Sequence, residues 1–299
     1  MLTTLDFRIH EVATYINWLY FFHAWGFPAR LASIAKVHGC EACRQNWLTG
    51  FRPEERERAK EAMRLYDDAQ RLLSEANGHI HTHARIGIFK ANSIEDDVRI
   101  QTDEAQVDIP FLRQQAPGEN GLCLCISDFV KPKDKGEDMI GVFACSVDKE
   151  LEDGEKDEDY RHLLHQTLAD RLAEATAEKA HELVRKEIWG FSPDEKLTME
   201  EMFAEKYQGL RPAVGYPSIP DQSMTFLIDK VLRLNEIGVT LTESGAMLPH
   251  ASTCGFILSH PATVHFGVGQ IDEDQMRDYA RRRGMNVEKM QKFINHLSK

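Results

Sequence analysis

Basic residues are in short supply in this chain: 36 Lys and Arg stand against 48 Asp and Glu, a formal charge of −12. Phosphate binding needs clustered Lys and Arg, so this balance excludes nucleic-acid partners and fits anionic lipid poorly. Long apolar runs are missing as well. The best candidate, residues 16–27, is interrupted by Asn17 and His23. It falls short of the roughly 20 residues that a spanning helix needs. Residues 1–11 lack the apolar core of a secretory leader. Familiar catalytic signatures are also absent: no Gly-x-Gly-x-x-Gly after a strand, no P-loop, no Gly-x-Ser-x-Gly and no His-Glu-x-x-His. The expectation is a soluble, cytoplasmic protein without a membrane partner.

Cysteine is sparse, at six residues. Cys40 and Cys43 alone have redox or metal spacing, and neither a second pair nor two histidines at zinc-finger spacing follow. All six are therefore read as reduced thiols in ordinary packing. Cys123 and Cys125 alternate within an apolar run, as on one face of a strand.

What is present is enough for a substantial core, with 42% apolar residues. A helix is expected around residues 15–24, closed by Gly26-Phe27-Pro28. Residues 53–73 predict a second helix: Pro53-Glu54-Glu55 suits a first turn, and Ala59, Ala62, Met63, Tyr66, Ala69 and Leu73 form its stripe. Strands are expected at 85–91, 98–102, 122–129 and 139–145, with turns at 92–97 and 131–138. Residues 151–159 form an acidic connection. The longest helix should run over 160–188, with Leu164, Leu168, Leu172, Ala175 and Lys179 one turn apart. Thr198-x-x-Glu201 is a capping box for a short helix ending near Tyr207. Residues 224–237, 275–284 and 287–297 predict further helices, and 255–258 with 264–268 an antiparallel pair. Strands and helices in runs, without strict alternation, indicate an α+β fold over one domain, residues 1–299.

One loop stands apart, Arg211-Pro212-Ala213-Val214-Gly215-Tyr216-Pro217-Ser218-Ile219-Pro220. Its prolines fix φ, and Gly215 permits a conformation closed to other residues. Such a loop can hold Arg211 against a ligand carboxylate and present the Tyr216 ring, or it can be a structural loop bearing a surface arginine. The residues alone leave both open.

The segment 207–217 resembles the Arg-x-x-x-Gly-Tyr motif of the activation (reactivation) domain of cobalamin (vitamin B12)-dependent methionine synthase. Leu168-Ala169-Asp170-Arg171-Leu172-Ala173-Glu174-Ala175, Val184-Arg185-Lys186 before Trp189-Gly190, Leu241-Thr242-Glu243-Ser244, Ser259-His260-Pro261 and Asp278-Tyr279-Ala280-Arg281-Arg282 match further signatures in order. Upstream, 112–115 and 127–130 also match. The likeness is densest over 159–285, and 1–158 is the less typical half.

This resemblance implies a C-shaped α+β domain with a central twisted antiparallel sheet that binds S-adenosylmethionine in a shallow groove. It implies docking on a cobalamin-binding protein or methionine synthase modules, with flavodoxin or a flavoprotein reductase as electron donor. By the same likeness Arg211 binds the ligand carboxylate, the chain around Ala213 and Gly215 contacts the adenine side, and Tyr216 faces ligand and corrin. Glu174 and Glu205 match acids near the sulfonium. Four positions depart from the pattern. Asn17 stands where the family has an aspartate, His265-Phe266 replaces a tyrosine pair, and Leu248 stands where an aromatic is usual. The homocysteine, folate and cobalamin modules are absent from this chain, so a partner is expected to hold the corrinoid.

Two other readings remain. The chain is a docking module that has lost ligand binding, which the changes at Asn17 and His265 favour. Alternatively it binds metal through His79, His81 and His83, which share a face if they lie on a strand.

Overall fold

The computed structural model describes residues 1–118, 121–154 and 158–294. Its strands are β1 (Leu2–Arg8), β2 (His81–Ile94), β3 (Asp97–Gln101), β4 (Gln106–Pro110), β5 (Asp138–Val147), β6 (Thr240–Leu241), β7 (Met247–Leu248) and β8 (Ser252–Ile257). The short β6 and β7 pair only with each other; the others form one antiparallel sheet in the order β4-β3-β2-β5-β8, with β1 also on β2. The 14-residue β2 is long enough to be shared. Its first half pairs with β1, from Arg8↔His81 to Leu2↔Gly87, and its last five residues pair with β3. Its other edge carries β5.

The helices are α1 (Ile9–Val12), α2 (Trp18–Ala24), α3 (Glu41–Thr49), α4 (Arg56–Ala76), α5 (Lys149–Glu152), α6 (Asp159–Leu183), α7 (Met199–Phe203), α8 (Met224–Leu232), α9 (Glu273–Arg282) and α10 (Val287–Ile294). They cover the sheet on both sides, and β5 shows the consequence. Phe143, Cys145 and Val147 join Ala84, Ile86 and the buried residues of α6 in one core. Ile140, Val142 and Ala144 join Phe256 and the buried residues of α8 in another. A strand buried on both faces reads as an unbroken apolar run, as 139–145 does. Helix α6 is buried on more than its leucine stripe: Ala169, Ala173, Ala177 and Ala180 are buried too. Small side chains on those faces let the sheet and the N-terminal helices approach together. Lys179, placed on the apolar stripe from sequence, instead holds its ammonium 5.3 Å from the Phe7 ring and 5.4 Å from that of Tyr15.

Beyond α6 the chain makes one π-turn, Val184–Ile188. It carries Arg185, which is fully buried and donates from Nε and Nη2 to Glu195 at 2.8 and 2.6 Å. Its guanidinium lies 4.1 Å from the Tyr207 ring centroid. These contacts fasten the segment after α6 to the helix, directly before the Arg211 loop.

Several expectations are corrected. β1, β4 and the β6–β7 hairpin were not anticipated, and β2 runs to Ile94, through most of the expected turn. Residues 122–129 are not a strand. Side chains supply much of the pairing there, beside a backbone bond from Gln114 N–H to the Leu124 carbonyl: Gln114 Oε1 accepts from Leu124 N–H, Asp128 Oδ2 accepts from Cys125 N–H, and Arg113 Nη1 donates to the Cys123 carbonyl. The segment closes in a 3₁₀ turn, Ile126–Phe129, so the two thiols do not share a strand face. Residues 264–268 form no strand with β8, because the Arg211 loop occupies that edge. Val268 N–H donates instead to the Pro217 carbonyl. Helix α7 ends at Phe203 rather than near Tyr207, and Leu151 is buried in α5 rather than solvated. The expected helix end at Leu297 lies outside the described residues. Cys40 and Cys43 are exposed rather than packed.

The histidines at 79, 81 and 83 do not converge on a metal position. His79 precedes β2, and among the described residues the one group of potential ligands within mutual reach lies elsewhere. His83 bridges two carboxylates, with Nδ1 2.6 Å from Asp6 Oδ1 and Nε2 3.0 Å from Asp148 Oδ1. His81 Nδ1 also lies 3.7 Å from Asp148. Burial disfavours the charged ring, but the hydrogen bonds to Asp148 and Asp6 outweigh it and raise the His83 pKa. A raised folded pKa gives stability that is complete below the unfolded value and lost as pH climbs through the folded one. Urea midpoints of wild type and His83→Gln should therefore differ most below about pH 6 and converge in alkaline buffer. A constant gap across pH would contradict the charged bridge.

Candidate functional site

The Arg211 loop behaves as an added edge strand. Leu210 and Leu258 exchange backbone hydrogen bonds at 2.9 and 2.8 Å, Phe256 N–H donates to the Pro212 carbonyl, and Val214 N–H donates to that of Cys254. Such closeness needs glycine opposite. A Cβ on Gly255 would lie 2.1 Å from the Pro212 oxygen and 2.7 Å from the Ala213 Cα. The loop then turns at Gly215, whose φ of +88° favours glycine, and the Gly215 N–H donates to the Ile219 carbonyl at 2.8 Å. The ribbon places Arg211 inward and leaves Tyr216 exposed.

A cavity of about 570 Å³ opens beside this ribbon, within the ordinary range for small-molecule sites. Eight of the nine residues singled out from sequence line it: Asn17, Glu174, Glu205, Arg211, Ala213, Tyr216, His265 and Phe266. Gly215 acts from behind, through the turn. Leu248 is elsewhere, on β7. Sequence reasoning missed Tyr15, Tyr20, Arg171, Glu178, Met202 and Phe203, which also line the cavity. The acids Glu174 and Glu178 are one turn apart on α6, so helical spacing from Glu174 would have found Glu178.

The charges are arranged unevenly. Arg211 is nearly buried, and its Nη2 pairs with Glu178 Oε1. Burial opposes its charge, but the Glu178 and Glu174 carboxylates overcome that and raise its pKa further. Glu205 pairs with His265, 2.5 Å apart at the open rim. Glu205 holds φ +53°, a left-handed backbone that costs a non-glycine residue about 1–3 kcal/mol. Glu174 has no ion-pair or hydrogen-bond partner among the described residues. Its carboxylate, followed by burial, raises the phenol pKa of Tyr216, and both side chains line the cavity. Asn17 caps α2, accepting from Leu19 N–H at 3.2 Å.

Three polar atoms on residues that line this cavity are buried without a hydrogen-bond partner: Nε of Arg211, Nε of Arg171 and Oε2 of Glu178. An unpaired buried polar group costs about 1–3 kcal/mol. Two arginine donors and one carboxylate acceptor are thus held beside a single cavity.

Residues 8–284 match the family described as vitamin B12 dependent methionine synthase, activation domain. This chain belongs to that family. A solved structure described as the MetH reactivation domain bound to AdoHcy superposes with a TM-score of 0.85 at 34% identity, covering 100% of this chain and 90% of that one. The activation-domain fold, with its central antiparallel sheet flanked by helices, is thus shared across the full length. Among the described residues, no helix of this activation domain is long and apolar enough to cross a membrane.

Proposed function

We propose that this activation domain binds S-adenosylmethionine in the cavity beside the Arg211 ribbon and supports reductive methylation of cobalamin carried by a partner protein. The unpaired polar atoms carry the reading. The ligand has a carboxylate for the open Nε donors of Arg211 and Arg171, and an ammonium for the open Oε2 of Glu178. Its sulfonium is complemented by Glu174, which has no ion-pair or hydrogen-bond partner among the described residues. The neighbour's AdoHcy, which lacks only the transferred methyl, supports the same ligand class.

When bound, S-adenosylmethionine supplies an electrophilic methyl group, and its transfer to reduced cobalamin leaves S-adenosylhomocysteine. The chain's residues orient and balance charge. No cavity group is required to remove a proton, because attack on a sulfonium methyl releases none. The exposed rings of Tyr20 and Tyr216 on the cavity rim present an apolar edge to a corrin-bearing partner. Flavodoxin or a flavoprotein reductase is the proposed electron donor. Six free thiols suit a reducing cytoplasm.

The reading is tested by adding this chain to a cobalamin-loaded methionine synthase that lacks its own activation domain. With methyl-labelled S-adenosylmethionine and a one-electron reductant, label should appear on cobalamin only when the chain is present. Label appearing equally without it would refute the role. Asn17 gives a graded check. Asn17→Asp keeps the α2 cap and restores a charged acceptor worth roughly 1.4 kcal/mol more than a neutral one, so S-adenosylmethionine affinity should rise about tenfold. Unchanged or weaker binding would remove Asn17 from the ligand's shell.

A further inference from the structure

Far along the chain from the Arg211 ribbon, three exposed side chains gather where the 3₁₀ helix Ala29–Lys36 passes into α3. One ligand atom each of His38, Cys40 and Cys43 lies within 4.8 Å of the others. We propose that these three residues bind one zinc-like divalent cation, with water in the fourth position.

The local geometry makes the set. Cys40 is the N-cap of α3, and Cys43 lies three residues on, so one helical turn brings the sulfurs together. His38 folds back, its Nδ1 accepting from the Cys40 N–H at 3.3 Å. The turn is pinned on both sides. Before it, Ile34 is buried and its carbonyl accepts from Val37 N–H. After it, Arg44 grips Asp67 of α4 through two hydrogen bonds of 2.6 Å. A pinned turn loses little freedom on binding an ion.

The donor set selects the ion. Two thiolates and an imidazole are soft and borderline ligands that suit zinc and disfavour magnesium or calcium. Tetrahedral zinc with bonds of about 2.0–2.3 Å separates its ligands by roughly 3.3–3.8 Å, which side-chain rotation can reach from the spacing seen here. Binding in the all-thiol state releases two protons, one from each sulfur, and needs no oxidant. All three residues are exposed, so the ion has a path in and the fourth position faces solvent. A second Cys pair is unnecessary, because His38 supplies the third ligand and water the last.

The test uses the full chain, reduced and stripped of metal, titrated with Co²⁺ alone and then with Zn²⁺. We expect thiolate-to-cobalt charge-transfer absorption that saturates at one equivalent and is abolished by zinc. Cys40→Ser should lose the band and His38→Ala should weaken binding at least tenfold, whereas Cys123→Ser should match wild type. Because the ligands are exposed, the metal-free variants should keep the wild-type thermal midpoint, so a lost band reports a lost ligand rather than a lost fold. Absence of the band in wild type, or its survival in Cys40→Ser, overturns the site. So does the loss of two titratable thiols in air without metal uptake, which would make Cys40 and Cys43 a disulfide-forming pair.

Discussion

Arg211→Ala is expected to abolish S-adenosylmethionine binding and also to destabilise the chain by about 3–5 kcal/mol. The second effect follows from the structure. Arg211 is paired with Glu178 at a nearly buried position, so truncation strands a carboxylate in a low-dielectric site. Loss of binding in this variant alone therefore mixes two causes. The double variant Arg211→Met, Glu178→Met separates them. Replacing both charges with apolar groups of similar length should return stability to within roughly 1–2 kcal/mol of wild type, or above it. Binding should remain absent, because the donor for the ligand's carboxylate and the Glu178 acceptor for its ammonium are both gone. Urea denaturation and calorimetry read the two effects independently. A stable double variant that binds the ligand normally would show that Arg211 is structural.

The second large effect is expected at Asp221, immediately after the ribbon. Asp221 is 1% exposed, and four donors converge on it. Ser223 N–H and Oγ–H reach Oδ1 at 2.8 and 2.7 Å; Tyr279 Oη–H and Arg283 Nε–H reach Oδ2 at 2.8 and 3.2 Å. The carboxylate thus ties the ribbon's far end to α9. Burial, then the Asp221 charge, drives the Tyr279 phenol well above its ordinary range, so it stays a donor. Asp221→Ala strips the buried Arg283 of its carboxylate, leaving it only the Ser223 oxygens, and leaves the Tyr279 hydroxyl without its acceptor, and should lower stability by about 3–5 kcal/mol. Asp221→Asn keeps one carbonyl acceptor and should recover part of the loss. A change of less than about 1 kcal/mol in the alanine variant would contradict this anchoring.

Asp221 also shows what the sequence made legible and what it did not. The signature 278–282 stood out as a motif, yet its purpose depends on a contact across 58 residues between Tyr279 and Asp221. Local patterns found α4, α6 and α8 because each carries an apolar stripe long enough to show its period. They found β5 because a strand buried on both faces is an apolar run. They failed at β1 and β4, edge strands of seven and five residues that alternate in burial but are too short to stand out from the flanking turns. They also failed at 122–129, where side chains supply much of the pairing. The cavity residues were read from family likeness, and the structure gathers eight of them. The Arg211–Glu178 pair was not seen, because nothing in spacing connects a helix to a loop 33 residues on.

The central claim is that this cavity binds S-adenosylmethionine unaided. Its most direct test is calorimetric titration of the purified wild-type chain with that ligand. The account predicts saturable binding of one ligand per chain, with S-adenosylhomocysteine competing for the same site. No heat and no competition at millimolar ligand would contradict it and leave a docking module whose cavity has lost its ligand.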